Sequence, residues 1–189
     1  DKLQPVFTYV GAAEDGVYTG TATGYYVNKM LRDSSANDYI VSGVDRFYPL
    51  LRYAETLLNF AEATNEFSGP SSAIYNALID IRRRAGISAG TDGLYGLKAD
   101  MDKDEMRRAI QLERKLELSF EDHRFWDVRR WKIGDETKTI NQMEILPGNT
   151  LTYNTKLLEV RTFEDRMNLY PIPQIEINKN PNLVQNPNW

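Results

Sequence analysis

The spacing of apolar residues changes character at Pro49. From there Leu50, Ala54, Leu57, Leu58 and Ala61 recur at i, i+4, i+7, i+8 and i+11, which predicts a helix over about residues 50–66. Ser68-Gly69-Pro70 stops it. Ile74, Ala77, Leu78, Ile81 and Ala85 then line one face of a second helix over about 71–85, with Gly86 placed to end it. Two helices joined by so short a loop form an antiparallel hairpin over 50–86, similar in spacing to one tetratricopeptide unit. No second copy follows, so a repeat array is not predicted.

A third periodic stretch runs from Arg107 to Phe120. At about 100° per residue, Met106, Ala109, Ile110, Leu112, Leu116 and Phe120 fall in one arc of roughly 160°, the apolar face of an amphipathic helix. Asp102 and Glu105 have capping-box spacing, and Met101 and Met106 sit where a hydrophobic staple closes. Glu121-Asp122-His123 breaks the helix, and Arg124 to Trp131 reads as a second, short one ended near Gly134. Residues 102–134 are thus a pair of core helices. Glu113 and Glu117, one turn apart, point into the middle of the apolar arc. Either they do chemistry or buried arginines neutralise them.

The flanks are less periodic. Residues 1–45 interleave Phe7, Tyr9, Tyr18, Tyr25, Tyr26 and Tyr39 with Gly11, Gly16, Gly20 and Gly24, a pattern of short extended segments and loops. Such aromatics either pack the edge of a core or form a stacking platform for a ligand. Residues 87–100 are a Gly-rich connection. Residues 135–168 admit two readings, short strands or a surface excursion. Leu169 to Pro173 is extended, because each proline disfavours helix at the residue before it. The asparagines from Asn178 to Asn188 favour turns capped by their own side chains.

Composition narrows the partners. The 189 residues make one ordinary domain or a large piece of a longer protein, and 41% hydrophobic residues suffice for a core. A net charge of -4 and the lack of a long basic patch give no electrostatic footprint for nucleic acid. Arg82-Arg83-Arg84 and Arg129-Arg130 lie on predicted helices among acids, as ion-pair partners. The absence of cysteine excludes disulfides and thiolate metal sites. No apolar run approaches the roughly 18 residues of a membrane span, and no signal peptide is evident.

Candidate chemistry rests on Glu113 and Glu117. Glycosidases use two carboxylates roughly 5–10 Å apart, a separation that successive helical turns approach. Against this, Arg52, Arg82, Arg84 and Arg114 are available to offset the desolvation of buried glutamates. Ion pairs are the preferred reading. The sole histidine, His123, stands three residues after Phe120, so no Glu-x-x-His motif exists for a di-metal carboxylate site. No metal or other cofactor is predicted, and no glycine-rich phosphate loop is present.

Five segments, Gly24-Tyr25-Tyr26 with Lys29, Arg52 to Ala63, Asn76 to Gly86, Glu113 to Trp131 and Pro171 to Pro187, resemble in that order the SusD/RagB family of nutrient-uptake lipoproteins from Bacteroidetes. Gly24-Tyr25-Tyr26 with Lys29 resembles the family's Gly-Tyr-x-x-x-Lys. Arg52 to Ala63 resembles its Arg-x-Ala-Glu…Ala-Glu-Ala helix, and Asn76 to Gly86 its Asn-x-x-Arg-x-Arg-Ala-Gly helix. Glu113-Arg114-Lys115-Leu116-Glu117-Leu118, continued by Arg124, Asp127 and Arg130-Trp131, is similar to its Glu-Arg-x-x-Glu-Leu…Arg…Asp-x-x-Arg-Trp core. Pro171-Ile172-Pro173 through Gln185-Asn186-Pro187 resembles its closing segment, with Asn188-Trp189 in place of the usual Gly-Tyr.

The resemblance implies a mainly α fold: tetratricopeptide-like helix pairs, long irregular loops and a few short strands, with residues 1–189 as the C-terminal portion of the family sequence. It implies a non-catalytic, surface-exposed outer-membrane lipoprotein that binds oligosaccharide and serves a SusC-like TonB-dependent transporter. The lipid anchor and the N-terminal half of the scaffold are then expected outside this chain. Phe7, Tyr9 and Tyr18 are the candidate glycan contacts, whereas Tyr25 and Tyr26 are expected in the core. Glu55, Glu62, Arg82, Arg84, Glu113, Arg114 and Glu117 are expected to form a structural ion-pair network. Two alternatives are a helical scaffold that contacts the transporter while the ligand site lies elsewhere, and a glycoside hydrolase using Glu113 and Glu117.

Overall fold

The structure, a computed structural model, describes residues 7–13, 16–27, 29 and 48–189. Tyr39, counted above among the N-terminal aromatics, lies outside the described residues. The chain divides into two compact units, Tyr48–Trp126 and a second that joins the N-terminal residues to Asp127–Trp189.

The first unit holds three helices, α1 (Tyr53–Ser68), α2 (Ser72–Arg84) and α3 (Lys103–Glu117). Helix α1 packs against both of the others. Leu58, Ile74, Leu78, Met106, Ile110 and Leu118 are fully buried, with Ala61, Ile81, Leu97 and Met101 around them. Each large side chain so buried is worth about 1.5–3 kcal/mol, against about 0–1 kcal/mol for an exposed ion pair. The apolar cluster, rather than surface charge, therefore holds the three helices.

Local signals set the helix ends. Asp102 accepts from the Glu105 N–H at 2.8 Å, and the Glu105 carboxylate accepts from the Asp102 N–H at 3.1 Å, so the capping box is formed. Gly86, at φ 81°, lets the Ile87 N–H turn back to the Arg82 carbonyl at 3.0 Å and close α2.

Two predicted boundaries and one predicted apolar face need correction. Leu50 precedes α1 and is exposed. Helix α3 ends at Glu117, not after Phe120, because Phe120 and Asp122 take left-handed φ of 61° and 62° in the turn that follows. Leu112, Leu116 and Phe120 are also exposed. The apolar arc is wider than the strip of α3 that its neighbours cover, and part of that strip belongs to Glu113 and Arg114.

Helix α4 (His123–Arg130) follows, and then the second unit's hairpin of β1 (Thr139–Leu146) and β2 (Thr152–Val160). This settles residues 135–168 in favour of strands. The pairing is antiparallel, with Gln142 opposite Lys156, Glu144 opposite Asn154 and a bulge at Ile140/Asn141. The other edge of β1 is met by N-terminal segments: the Met143 N–H donates to the Thr23 carbonyl and the Val10 N–H to the Ile145 carbonyl, both at 2.9 Å. A short helix α5 (Gln174–Lys179) stands where sequence predicted only extended chain and turns.

The closing motif has a physical basis. Ile172 lies between two prolines, so its own N–H is the backbone donor there, and the Gln185 amide satisfies both its N–H (2.8 Å) and its carbonyl (2.9 Å). Asn188 takes φ 66°, a left-handed position that asparagine tolerates in place of glycine. The Trp189 indole donates to the Leu169 carbonyl at 3.1 Å.

Candidate functional site

The candidate site in the second unit is built on a tight loop and one face of the hairpin. Carbonyl Gly16 accepts from the N–H groups of Thr19 (3.1 Å) and Gly20 (2.9 Å), and the Tyr18 N–H donates to the Thr21 carbonyl at 3.0 Å. This folding forces Tyr18 to φ 74°, a conformation unusual for an aromatic residue. Loop and hairpin are brought together at Gly24, at φ 79°, where a Cβ would lie 2.2 Å from the Met143 carbonyl oxygen. Only glycine allows that approach.

Tyr18 is 65% exposed, yet its hydroxyl is tied down: it donates to Glu144 Oε1 at 2.5 Å. Lys156 Nζ meets the same oxygen at 2.6 Å. Glu144 is buried, and the hydrogen bond from Lys156, followed by that from Tyr18, holds its carboxyl below the usual carboxylate range. Glu144 Oε2 has no hydrogen-bond partner among the described residues. On the same strand face, Gln142 is buried and its Nε2 is unpartnered among the described residues. Tyr18, Thr19, Gly20, Thr21, Ala22 and Leu158 line an open cleft of about 290 Å³.

Of the other candidate glycan contacts, Phe7 is exposed and Tyr9 half-buried, with ring centroids 5.9 Å apart edge to face. Tyr18 is anchored separately. Tyr25 and Tyr26, expected in the core, are exposed; their neighbour Gly24, rather than either ring, makes the close packing. Glu144, Lys156 and Leu158 were missed because they stand in the stretch left unassigned. The alternation Leu151-Thr152-Tyr153 allowed strands there but singled out none of these three residues.

The first unit carries the charged cluster. Arg82 Nε meets Glu113 Oε2 at 2.8 Å, and its Nη1 donates to the Tyr95 carbonyl at 3.0 Å. Glu117 accepts from Arg52 at 2.5 Å and also from Arg84. Arg52 reaches Glu121 as well, at 2.6 and 2.9 Å. Burial opposes the charge of Arg52, but its hydrogen bonds to Glu121 and Glu117 outweigh this and raise its pKa. Arg114 Nη1 donates to Asn59 Oδ1 at 2.7 Å, and its Nε lies 3.9 Å from Glu62 Oε2. Glu55 stands 3.8 Å from His123 Nε2. Among the described residues no group of three or more His, Cys, Asp and Glu side chains is arranged to hold a metal, and no helix is long and apolar enough to cross a membrane.

These features define a mainly helical protein in which a tetratricopeptide-like hairpin is followed by a small sheet carrying surface aromatics. The chain belongs to the SusD family, whose pattern it matches over residues 4–189. It is 34% identical over 139 residues to SusD-like protein P2 of Formosa agariphila, covering 74% of this chain and 25% of that protein. Another SusD-like protein of the same bacterium is 33% identical, with 72% and 24% covered. The chain thus spans about a quarter of the length of these relatives. Among solved structures, a SusD-like protein of Bacteroides fragilis superposes with a TM-score of 0.63 at 34% identity, covering 76% of this chain and 26% of that one. A SusD homologue of Bacteroides thetaiotaomicron gives 0.57 at 28% identity, covering 80% and 30%.

Proposed function

We propose that this chain forms part of a surface-exposed outer-membrane lipoprotein that binds oligosaccharide without cleaving it and passes it to a SusC-like TonB-dependent transporter. Family membership supports the setting. The observation that carries the binding reading is Tyr18: a ring open to solvent whose polar end is already anchored. Such a ring presents an apolar face at little entropic cost, which suits the C–H-rich face of a sugar. Phe7 and Tyr9, the remaining candidate contacts, form an edge-to-face pair of their own.

Three ion pairs of Glu113 and Glu117 support the non-catalytic reading. Each carboxylate is taken up by guanidinium groups, Arg82 in one case and Arg52 with Arg84 in the other. A glycosidase pair needs one carboxyl to deliver a proton and the other to face the sugar or a water.

The test is calorimetry of the folded protein against an oligosaccharide panel, with product analysis on the same samples. Saturable binding, intact sugar and loss of affinity in Tyr18→Ala are expected. Released product that disappears in Glu113→Gln or Glu117→Gln would overturn the reading.

One feature favours a second reading, a scaffold that contacts a partner protein. Tyr53, Phe60 and Phe67 recur every seven residues on α1 and are exposed, as are Leu50 and Leu51 just before it. On this reading the protein shows no glycan affinity of its own.

A further inference from the structure

Most of the cleft beside Tyr18 is lined by one short loop, and its far wall is Leu158 of β2. At about 290 Å³ it lies just below the range for drug-sized ligand pockets, roughly 300–1,000 Å³. It suits one ring rather than a chain. Its chemistry is mixed. The Tyr18 ring and the Leu158 side chain supply apolar surface, while Thr19 and Thr21 supply hydroxyls. Thr19 Oγ1 donates to the Gly16 carbonyl at 2.9 Å, which fixes it in place with acceptor capacity left, whereas Thr21 Oγ1 donates to the Tyr25 carbonyl at 3.1 Å and already accepts from the Thr23 N–H at 3.2 Å.

The polar groups around the phenol are also incompletely used. Lys156 shares Glu144 Oε1 with the Tyr18 hydroxyl, so its ammonium stands beside the phenol's polar end. An ammonium has three donors, and Glu144 takes one. Glu144 Oε2 and Gln142 Nε2, an acceptor and a donor two residues apart on one strand face, have no partner among the described residues. Neither residue is among those that line the cleft, so the groups a ligand there meets are the Tyr18 ring, Leu158 and the threonine side chains, with Lys156 beside the phenol.

We propose that this cleft is a subsite for a single pyranose ring of an oligosaccharide, stacked on Tyr18, with Lys156 donating to its hydroxyls. Glu144 is the positioning residue that fixes the ring of Tyr18. This rests on the glycan-binding reading and adds to it where one sugar unit sits and what orients it.

The experiment uses saturation-transfer NMR with methyl glucoside, methyl galactoside and methyl mannoside as probes, titrated against the protein and four variants. Tyr18→Ala removes the platform. Tyr18→Phe keeps the ring but not the anchor, Glu144→Gln keeps the shape but not the charge, and Tyr18→Phe/Glu144→Gln combines them. At least one glycoside is expected to bind, with affinity lost in Tyr18→Ala. Tyr18→Phe is expected to weaken binding about threefold to fivefold, Glu144→Gln less because its amide oxygen still accepts from the phenol, and the double variant no more than Tyr18→Phe alone, because both act on one shared contact. Glu144 acting only on folding predicts additive losses, so Tyr18→Phe alone having no effect, or a multiplied loss in the double variant, overturns its positioning role. Oligosaccharide binding that survives Tyr18→Ala overturns the subsite while the broader reading stands. No binding of any panel oligosaccharide overturns both.

Discussion

Arg52 and Glu121, 69 residues apart in sequence, are joined by two parallel contacts, Nε to Oε2 at 2.6 Å and Nη2 to Oε1 at 2.9 Å. The same guanidinium donates to the Glu117 backbone carbonyl at 2.5 Å, at the end of α3 where carbonyls lack intrahelical partners. Arg52 itself is the N-cap of α1 and caps nothing with its side chain. It thus ties the start of one helix to the end of another.

The Glu113–Arg82 pair makes the energetic case measurable. Both side chains are largely buried, so deleting one leaves the other's charge unpaired. Glu113→Ala is expected to destabilise the protein by roughly 3–5 kcal/mol, measured by urea unfolding. A loss below about 1 kcal/mol would remove the pair from any account of the fold.

Gly24→Ala faces two penalties, a left-handed backbone and a Cβ driven against the Met143 carbonyl. A loss of at least about 2 kcal/mol is expected. Because Thr23 next to it accepts from Met143, the loop that carries Tyr18 moves with it. Near-ultraviolet circular dichroism, which follows aromatic environments, reports that movement.

Glu144 gives a pH dependence with a definite sign. Its folded-state pKa is depressed, chiefly by Lys156 and then by Tyr18. The stability it contributes is therefore complete above the unfolded carboxylate value of about 4.3 and is lost as pH falls through the lower folded value. The stability difference between the protein and Glu144→Gln should be constant from pH 6 to 8 by about any practical denaturant assay and shrink below pH 4, roughly where the carboxylate protonates. A difference that grows on acidification refutes the assignment.

Phe67 is 93% exposed and contributes little to this unit's core. Phe67→Ser is expected to change stability by less than about 0.5 kcal/mol. If α1 presents a partner-binding face, that variant keeps its thermal midpoint while losing association with the proposed SusC-like partner in a pull-down.

The hairpin of α1 and α2, the capping box at Asp102 and the burial of Glu113 were legible in sequence, because they depend on spacing within one segment. A period of 3.6 residues, a proline after a glycine and a carboxylate three residues from another act locally, whatever the rest of the chain does. The family motifs were legible for a related reason: Gly24 and Gln185 each answer a backbone demand that few other residues meet.

What spacing could not supply was which of several apolar residues find a neighbour. Leu112 and Leu116 satisfy the same periodicity as Met106 and Ile110, yet α1 and α2 cover only the latter pair. Nor does any local pattern bring Tyr18 to Glu144, since that contact spans 126 residues and depends on β1 taking N-terminal segments along one edge and β2 along the other. Amphipathic periodicity records how a segment can bury a face. Contact across the chain records what it is buried against, and the hydrophobic effect, being non-directional, leaves that choice to the packing of the whole.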